Sequence, residues 1–455
     1  MGVYMKELRF YLITDTHYFE NSLGAYGKEY DEFMRYEQKC FAETQSINEA
    51  VFVWLEQADE ADIVLIAGDL SFNGEKESHK GFVKLLNSLQ AAGKKVYVVT
   101  ADHDFNDKPF AFNETGRIQP EGTKRDELFD IYKAFGFGEA IAVDREHLSY
   151  VAQLGEGVRL LALNNDGSRD NRRNFDEAHI EWIKAQAQKA KDDGQMMIAM
   201  NHFPLLPCQP LFSIVSGTMQ KESAKAAEIL ADSGVHIVFT GHMHQQSVNE
   251  FVSEKGNKLY DVCTGSIIAD PAIIRLVTVK SESEVEIKSI PTPDFKWDTK
   301  GKTCKQYLQN TFDAMIVNLL EDMKNDPKRM MRKFGIKESK GIVFAVHQAG
   351  KLLNSITLGT LCRLMFVKCD KSIRKMKLKS FAVELVRGVF VGNQKMVEGT
   401  PEGDAFIGFL KRINPILKRI NIKTFDGKRA DLFELLKNTA GNYGIDDYNA
   451  ALILK

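Results

Sequence analysis

Short apolar runs rich in branched residues recur along the first part of the chain, and each stops at a turn carrying acids or imidazoles. Residues 8–13 lead into Asp15 and His17, residues 62–67 into Gly68 and Asp69, and residues 96–100 into Asp102, His103 and Asp104. Residues 196–200 lead into Asn201 and His202, and residues 236–240 into Gly241, His242 and His244. Runs of this length and uniformity predict strands buried on both faces. Between them, residues 41–58, 78–92, 175–193 and 220–233 carry apolar positions at helical spacing, the last three closing at Gly93, Gly194 and Gly234. Strand alternating with helix predicts a layered α/β architecture, in which sites gather beyond the carboxyl ends of the strands. That is where these acids and imidazoles stand.

The pattern continues as strands over residues 273–279 and 285–290 and then breaks at Pro291 and Pro293. Beyond the break, residues 306–323, 341–367, 377–390, 405–420 and 430–438 are spaced as helices, with Pro415 expected to kink the fourth. The expected organisation is a first domain over 1–290, a linker over 291–300 and a mostly α-helical domain over 301–455. Residues 328–340 and 368–379 are basic, read as solvated helix faces with an anionic surface as the other reading.

Composition narrows the class. Of 455 residues, 44% are hydrophobic and 27% charged, which suits a soluble globular protein of two or three domains. The formal net charge of −2 disfavours nucleic acid as a partner. Six scattered cysteines contain no CxxC pair, so free thiols in a reducing cytoplasm are expected rather than structural zinc or a disulfide scaffold. No signal peptide opens the sequence and no apolar stretch reaches the length of a membrane span, so the expected location is cytoplasmic.

Carboxylate oxygen and neutral imidazole nitrogen together suit divalent or trivalent cations of the Mn, Fe and Zn kind. In order, the motifs are Asp15-x-His17, Gly68-Asp69, Asp102-His103-Asp104, His202 and Gly241-His242-x-His244. This series resembles the calcineurin-like metallophosphoesterase superfamily over roughly residues 7–290, and GDLSFNGEKESH (68–79) looks especially like its bacterial members. The resemblance implies a four-layer α/β/β/α sandwich holding two metal ions. Asp15, His17 and His244 would hold the first, Asp69 would bridge, and His202, His242 and Asp102 would hold the second. His103 would assist the leaving oxygen, and Asp104 would orient His103 by tying its other ring nitrogen. One departure stands out: the family motif Gly-Asn-His-Asp/Glu is here Ala101-Asp102-His103-Asp104, which adds a negative charge where a neutral amide is usual.

The implied activity is hydrolysis of a small phosphodiester or phosphomonoester by in-line attack of a metal-bridging hydroxide. Two alternatives stand beside it: a weakly active or silent metal-binding module with a partner-binding helical domain, and a nuclease. Other residues carry less. His79 reads as a helix-surface or capping contact, and His147, His179 and His347, without a partner pattern, read as structural. Asp261 and Cys263 read as a core strand before a glycine turn. The aromatic insertion over residues 18–36 reads equally as a substrate lining or a packing face. Residues 105–125, with Lys108, Arg117, Lys124 and Arg125, are a second candidate for substrate selection.

Overall fold

A computed structural model of the chain describes residues 5–166, 174–333, 337–425, 427–441 and 444–455. Residues 334–336, within the first basic stretch, therefore lie outside the described residues. In chain order the strands are β1 (Leu8–Ile13), β2 (Ile63–Ala67), β3 (Lys95–Val99), β4 (Ala111–Asn113), β5 (Gly116–Ile118), β6 (Ala142–Asp144), β7 (Ser149–Gly155) and β8 (Val158–Ala162). There follow β9 (Met196–Met200), β10 (Ile237–Thr240), β11 (Ser247–Val252), β12 (Lys258–Cys263), β13 (Ile273–Ser281), β14 (Glu284–Pro291) and β15 (Ala450–Ile453).

Two sheets account for all but the small β4–β5 hairpin. One runs β15-β14-β13-β1-β2-β3 and the other β11-β12-β10-β9-β8-β7-β6. The motif strands are parallel, with β3 at the edge of its sheet and the other four inside theirs: Ile13 pairs in register with Ile66, Ala67 with Val99, and Met200 with Phe239. Parallel central strands are covered on both faces, which is why β2 reads IVLIA with every residue buried. The sheets meet face to face, with Phe10 of β1 edge-on to Phe239 of β10 at 5.4 Å between ring centroids. Helices Thr44–Gln57 and Lys76–Ala91 pack on the first sheet through Val51, Phe52, Phe82 and Leu86. Helices Glu177–Asp192 and Ser223–Asp232 pack on the second through Ile183, Ala187, Ala227 and Leu230. The result is the expected four-layer α/β/β/α sandwich followed by a helical region.

The C-terminal region is mainly helical, but its last segment is not. Residues 450–453 return as β15 and pair antiparallel with β14, Val285 facing Leu452. The first sheet is thus completed by residues from beyond the expected boundary at 290. The 341–367 stretch divides into helices Lys340–Ser355 and Leu358–Leu364, because Thr357 caps the second by accepting from Thr360 N–H. Pro415 sits within helix Pro401–Leu417, near its end. Part of the 328–340 basic stretch faces inward: Arg329 forms two hydrogen bonds with the Asp322 carboxylate, at 2.7 and 3.1 Å. Arg35 and Tyr36 of the aromatic insertion reach the same carboxylate, so a buried acid joins the helical region to the first domain.

The insertion itself is a packing element. Phe19, Phe41, Phe72 and Phe112 form a buried aromatic cluster with Tyr30 and Phe33 against it, and Phe41 stacks on Phe72 at 3.9 Å. Among the described residues no helix is long and apolar enough to cross a membrane.

Because Leu452 and Leu454 are 1% and 0% exposed, the returning strand should contribute to the stability of the whole first sheet. Leu452→Ala is expected to cost about 2–4 kcal/mol, read as a lower urea midpoint for a probe in the first domain. An effect under about 0.5 kcal/mol, the level of a surface change, would show that β15 is dispensable to the sheet.

Candidate metal centre

The ends of β1 and β2 lie side by side, and the backbone locks the two loops together. Asp15 N–H donates to Gly68 O at 3.0 Å and His17 N–H to Asp69 O at 2.9 Å. From the second sheet, Gly241 N–H donates to His202 O at 2.9 Å. Asp15, His17, Asp69, His242 and His244 all take positive φ, between 39° and 66°. Left-handed backbone at a non-glycine residue costs on the order of 1–3 kcal/mol and persists where surroundings over-determine it, as they do at functional sites. Glycine is required at two neighbours. A Cβ on Gly68 would come within 2.6 Å of the His202 ring, and one on Gly241 within 2.4 Å of Asp15 Oδ2.

The side chains converge in two groups. Ligand atoms of Asp15, His17 and His244 lie within 4.8 Å of one another, as do those of Asp69, Asp102, His202 and His242. Asp69 faces both: its Oδ2 is 3.1 Å from His202 Nε2 and 3.5 Å from His17 Nε2. His17 Nε2 and His244 Nε2 approach to 3.1 Å, and Asp15 Oδ1 is 3.2 Å from the latter. Each predicted ligand is thus brought to one place.

The donor set fits metal ions. Among the described residues His17 Nδ1 and His244 Nδ1 are buried without a hydrogen-bond partner, while their two Nε2 atoms point at each other, an arrangement one proton satisfies only partly. His202 Nδ1 is tied to Ala67 O at 2.8 Å and His242 Nε2 to Gly217 O at 2.9 Å, each fixing its ring as outer-shell partners of metal-binding imidazoles do. Burial works against charge on Asp69, but His202 and His103 beside it hold its carboxyl well below the usual range. Burial likewise opposes protonation of His202, yet Asp69 and Asp15 push it up to about 10. The cluster demands positive charge at its centre, which a proton supplies poorly and a cation supplies well.

His103 lies beside this centre, its ring 4.8 Å from that of His17. Its Nδ1 is hydrogen-bonded at 2.7 Å, but to the Phe72 carbonyl. Asp104 therefore does not orient His103, contrary to the expectation from adjacency. Its carboxylate accepts from Ser71 N–H at 2.7 Å and Ala101 N–H at 2.8 Å, and so ties the β2 loop to the β3 loop. Burial, with Lys39 next, holds His103 below the ordinary imidazole value. Lys39 rests over the Phe72 ring, 4.6 Å from its centroid. Nothing in its sequence context marks it as a neighbour of the site.

Other supports are equally silent in the sequence. Asp261, on β12, accepts from Leu205 and Leu206 N–H at 2.7 and 2.9 Å and from Thr240 Oγ1 at 2.6 Å, holding the loops of His202 and His242 together. Thr14 Oγ1 donates to Asp15 Oδ2 at 2.8 Å, and Ser266 Oγ to Asp15 O at 2.7 Å. Of the basic residues over 105–125, Arg125 pairs with buried Asp166 at 2.8 Å and Arg117 lies over Phe110 at 4.1 Å. His79 is not on a helix surface: it is 1% exposed, with Nδ1 2.6 Å from Tyr132 Oη and Nε2 2.9 Å from Asp104 O.

A family model described as calcineurin-like phosphoesterase matches residues 8–246. A search of curated proteins finds no match. Among solved structures, a dimetal phosphatase from Danio rerio is 14% identical at a TM-score of 0.44, over 64% of this chain and 96% of that one. A purple acid phosphatase from yellow lupin (Lupinus luteus) seeds is 14% identical at 0.41, over 64% and 52% of the two chains. A putative 5′-nucleotidase from Staphylococcus aureus is 13% identical at 0.38, over 68% and 59%.

Burial presses the His79 imidazole down to about 4 from its ordinary 6.5. Unfolded chain takes up this proton as pH falls through 6.5, whereas folded chain resists until about 4. The contribution is therefore complete above pH 6.5 and lost on the way down. Between pH 7 and 4.5 wild type should lose about 2–3 kcal/mol more unfolding free energy than His79→Gln. Parallel losses in urea titrations of the two proteins would show that His79 does not stay neutral in the fold.

Proposed function

This chain belongs to the calcineurin-like phosphoesterase family, and on that premise we propose that it hydrolyses a small phosphate ester with two metal ions at the ends of β1, β2, β9 and β10. The observation that carries the reading is the convergence of two oxygen-and-nitrogen donor groups on Asp69, with left-handed backbone at five of the positions concerned. Asp15, His17 and His244 are assigned to one ion, and Asp102, His202 and His242 to the other, with Asp69 between them. When bound, such ions acidify water and neutralise phosphate oxygens. The residues of the chain do the rest.

His103 keeps its Nδ1 proton on Phe72 O, so Nε2 is the ring nitrogen left to meet a substrate oxygen. Burial and Lys39 favour the neutral ring. An arriving phosphate works in the opposite direction, because a nearby anion favours the imidazolium. Protonation at Nε2 thus accompanies substrate binding, and that proton is available to the departing alkoxide. Asp104 and Ser71 hold the loop so that His103 N–H stays 3.3 Å from Asp69 Oδ1. Water, not a protein nucleophile, attacks phosphorus, and the ester oxygen leaves with the proton from His103.

Asp102 shapes substrate choice. Its carboxylate lowers the net positive charge offered to the phosphate, and Lys39 restores part of it across the site. This favours a phosphodiester, which carries one negative charge, over a monoester dianion.

The test uses the full chain with bound metals quantified and with bis-p-nitrophenyl and p-nitrophenyl phosphate as substrates in added Mn²⁺. About two metal equivalents and turnover of the diester are expected. Asp69→Asn should remove several kcal/mol of transition-state stabilisation, more than about a hundredfold in rate. Asp102→Asn should raise monoester turnover relative to diester. Metal bound without turnover of either ester would identify a silent binding module, and no metal after reconstitution would sink the proposal.

A further inference from the structure

A second acid–imidazole cluster lies in the same sheet but away from the centre described above. Asp144 ends β6, His147 stands in the β6–β7 turn, and His179 occupies the first turn of helix Glu177–Asp192. One ligand atom from each of the three lies within 4.8 Å of the others. In the sheet order β6 is separated from β9, which carries His202, by β7 and β8. Three strand spacings place it about 14 Å from that strand.

The internal bonding is that of a metal-binding histidine with its carboxylate partner. His147 Nε2 is 3.1 Å from Asp176 Oδ2, and Nδ1 is 2.7 Å from Asp144 Oδ2. As the residues stand, a proton fills the 2.7 Å gap between Nδ1 and the Asp144 oxygen, which makes His147 an imidazolium between two carboxylates, and an ion bound at Nδ1 takes the place of that proton. Asp176 is itself fixed, since its Oδ1 accepts from His179 N–H at 2.9 Å as the helix cap. The His179 ring lies flat against that of His147, 4.3 Å between centroids and 4° between planes.

His179 is what a purely structural role leaves unexplained. It is 0% exposed, and among the described residues neither Nδ1 nor Nε2 has a hydrogen-bond partner. A buried polar group left unpaired costs about 1–3 kcal/mol, and a phenyl ring would pack against Phe175 and Trp182 without that penalty. The imidazole stands instead where one of its nitrogens lies within 4.8 Å of a carboxylate oxygen and of a second imidazole nitrogen.

We infer that Asp144, His147 and His179 form a zinc site distinct from the phosphoesterase centre, with Asp176 orienting His147. Two imidazoles and a carboxylate are a zinc donor set, with water completing the four. Ligand distances of about 2.0–2.2 Å need donors about 3.4 Å apart, so binding parts the Asp144–His147 pair, now 2.7 Å apart, and turns the His179 ring out of its stack on His147. The consequence reaches the main site through hydrogen bonds. Ser149 Oγ donates to His147 O at 3.3 Å and accepts from Asn164 N–H at 2.9 Å, and Asn164 Nδ2 donates to Thr100 O at 2.8 Å. Thr100 opens the turn that carries Asp102 and His103. Through these bonds the ion braces the loop behind these residues.

The experiment is Zn²⁺ binding to the full chain, stripped by chelator and dialysed against ZnCl₂, with bound metal counted. His179→Gln and Asp144→Asn should each bind one equivalent fewer than wild type. Asp15→Asn/Asp69→Asn, which weakens the main centre, should keep one equivalent, and adding His179→Gln should abolish it. Zn²⁺ should raise the Tm of that double variant and leave the triple variant unmoved. Co²⁺ in the double variant should show the visible absorption of a low-coordinate site. If His179→Gln does not fold in chelator, Asp144→Asn, at a partly exposed position, carries the comparison. Equal zinc content in wild type and Asp144→Asn, or none in the double variant, would overturn the inference whether or not the ester assay succeeds.

Discussion

Two fully buried carboxylates, Asp15 and Asp69, face each other across the ends of adjacent strands, and nearly everything around them answers to that fact. A carboxylate taken out of water is costly unless it is paired. Here the partners are imidazoles: His17 from the same sheet, and His202 and His244 delivered by the opposing one. Delivery from both sides requires the sheets to stack with their carboxyl ends together. The left-handed backbone at Asp15, His17, Asp69, His242 and His244 is the local cost of turning side chains inward immediately after a strand.

Such strain survives only in a rigid frame, and the frame is polar. Asp104 joins the β2 and β3 loops, Asp261 joins those after β9 and β10, and Ser266 holds the Asp15 carbonyl. Each of these groups is buried and each is hydrogen-bonded, so moving any loop would leave a donor or acceptor unpaired. Burial raises the Asp261 carboxyl to about 6, despite the hydroxyl and amide donors around it. Rigidity at the centre thus comes from residues that contribute no ligand atom.

The residues that converge in the two donor groups were legible in the sequence because strand period and strand end are local features. An apolar run of IVLIA followed by Gly-Asp announces both the strand and the turn. The sandwich could be read for the same reason. What could not be read depends on contacts between distant segments. His79 has the spacing of a helix surface, yet Tyr132 and the Asp104 carbonyl cover it. His147 and His179 are 32 residues apart in sequence and stack only because β6 lies beside the start of a helix. Asp104 misleads in the opposite way: adjacency to His103 suggests a bond to its ring, but a tight turn aims successive side chains in different directions. β15 is four residues long and lies far from its partner in sequence, so no local pattern announces that it closes the first sheet.

On the proposed assignment the two donor groups are matched: each has one carboxylate and two imidazoles of its own and shares Asp69. Three carboxylates then face two ions, so two divalent ions keep a net charge of only about +1 to offer a phosphate. The structure adds positive charge from another quarter: Lys39 follows the aromatic insertion and is held over Phe72, and after burial it is the next cause that depresses both His17 and His103. That insertion is anchored in turn by Arg35 and Tyr36 on Asp322 of the helical region. The helical region thus bears on the charge of the site through packing, by fixing the insertion whose end leads into Lys39 beside the candidate ligands.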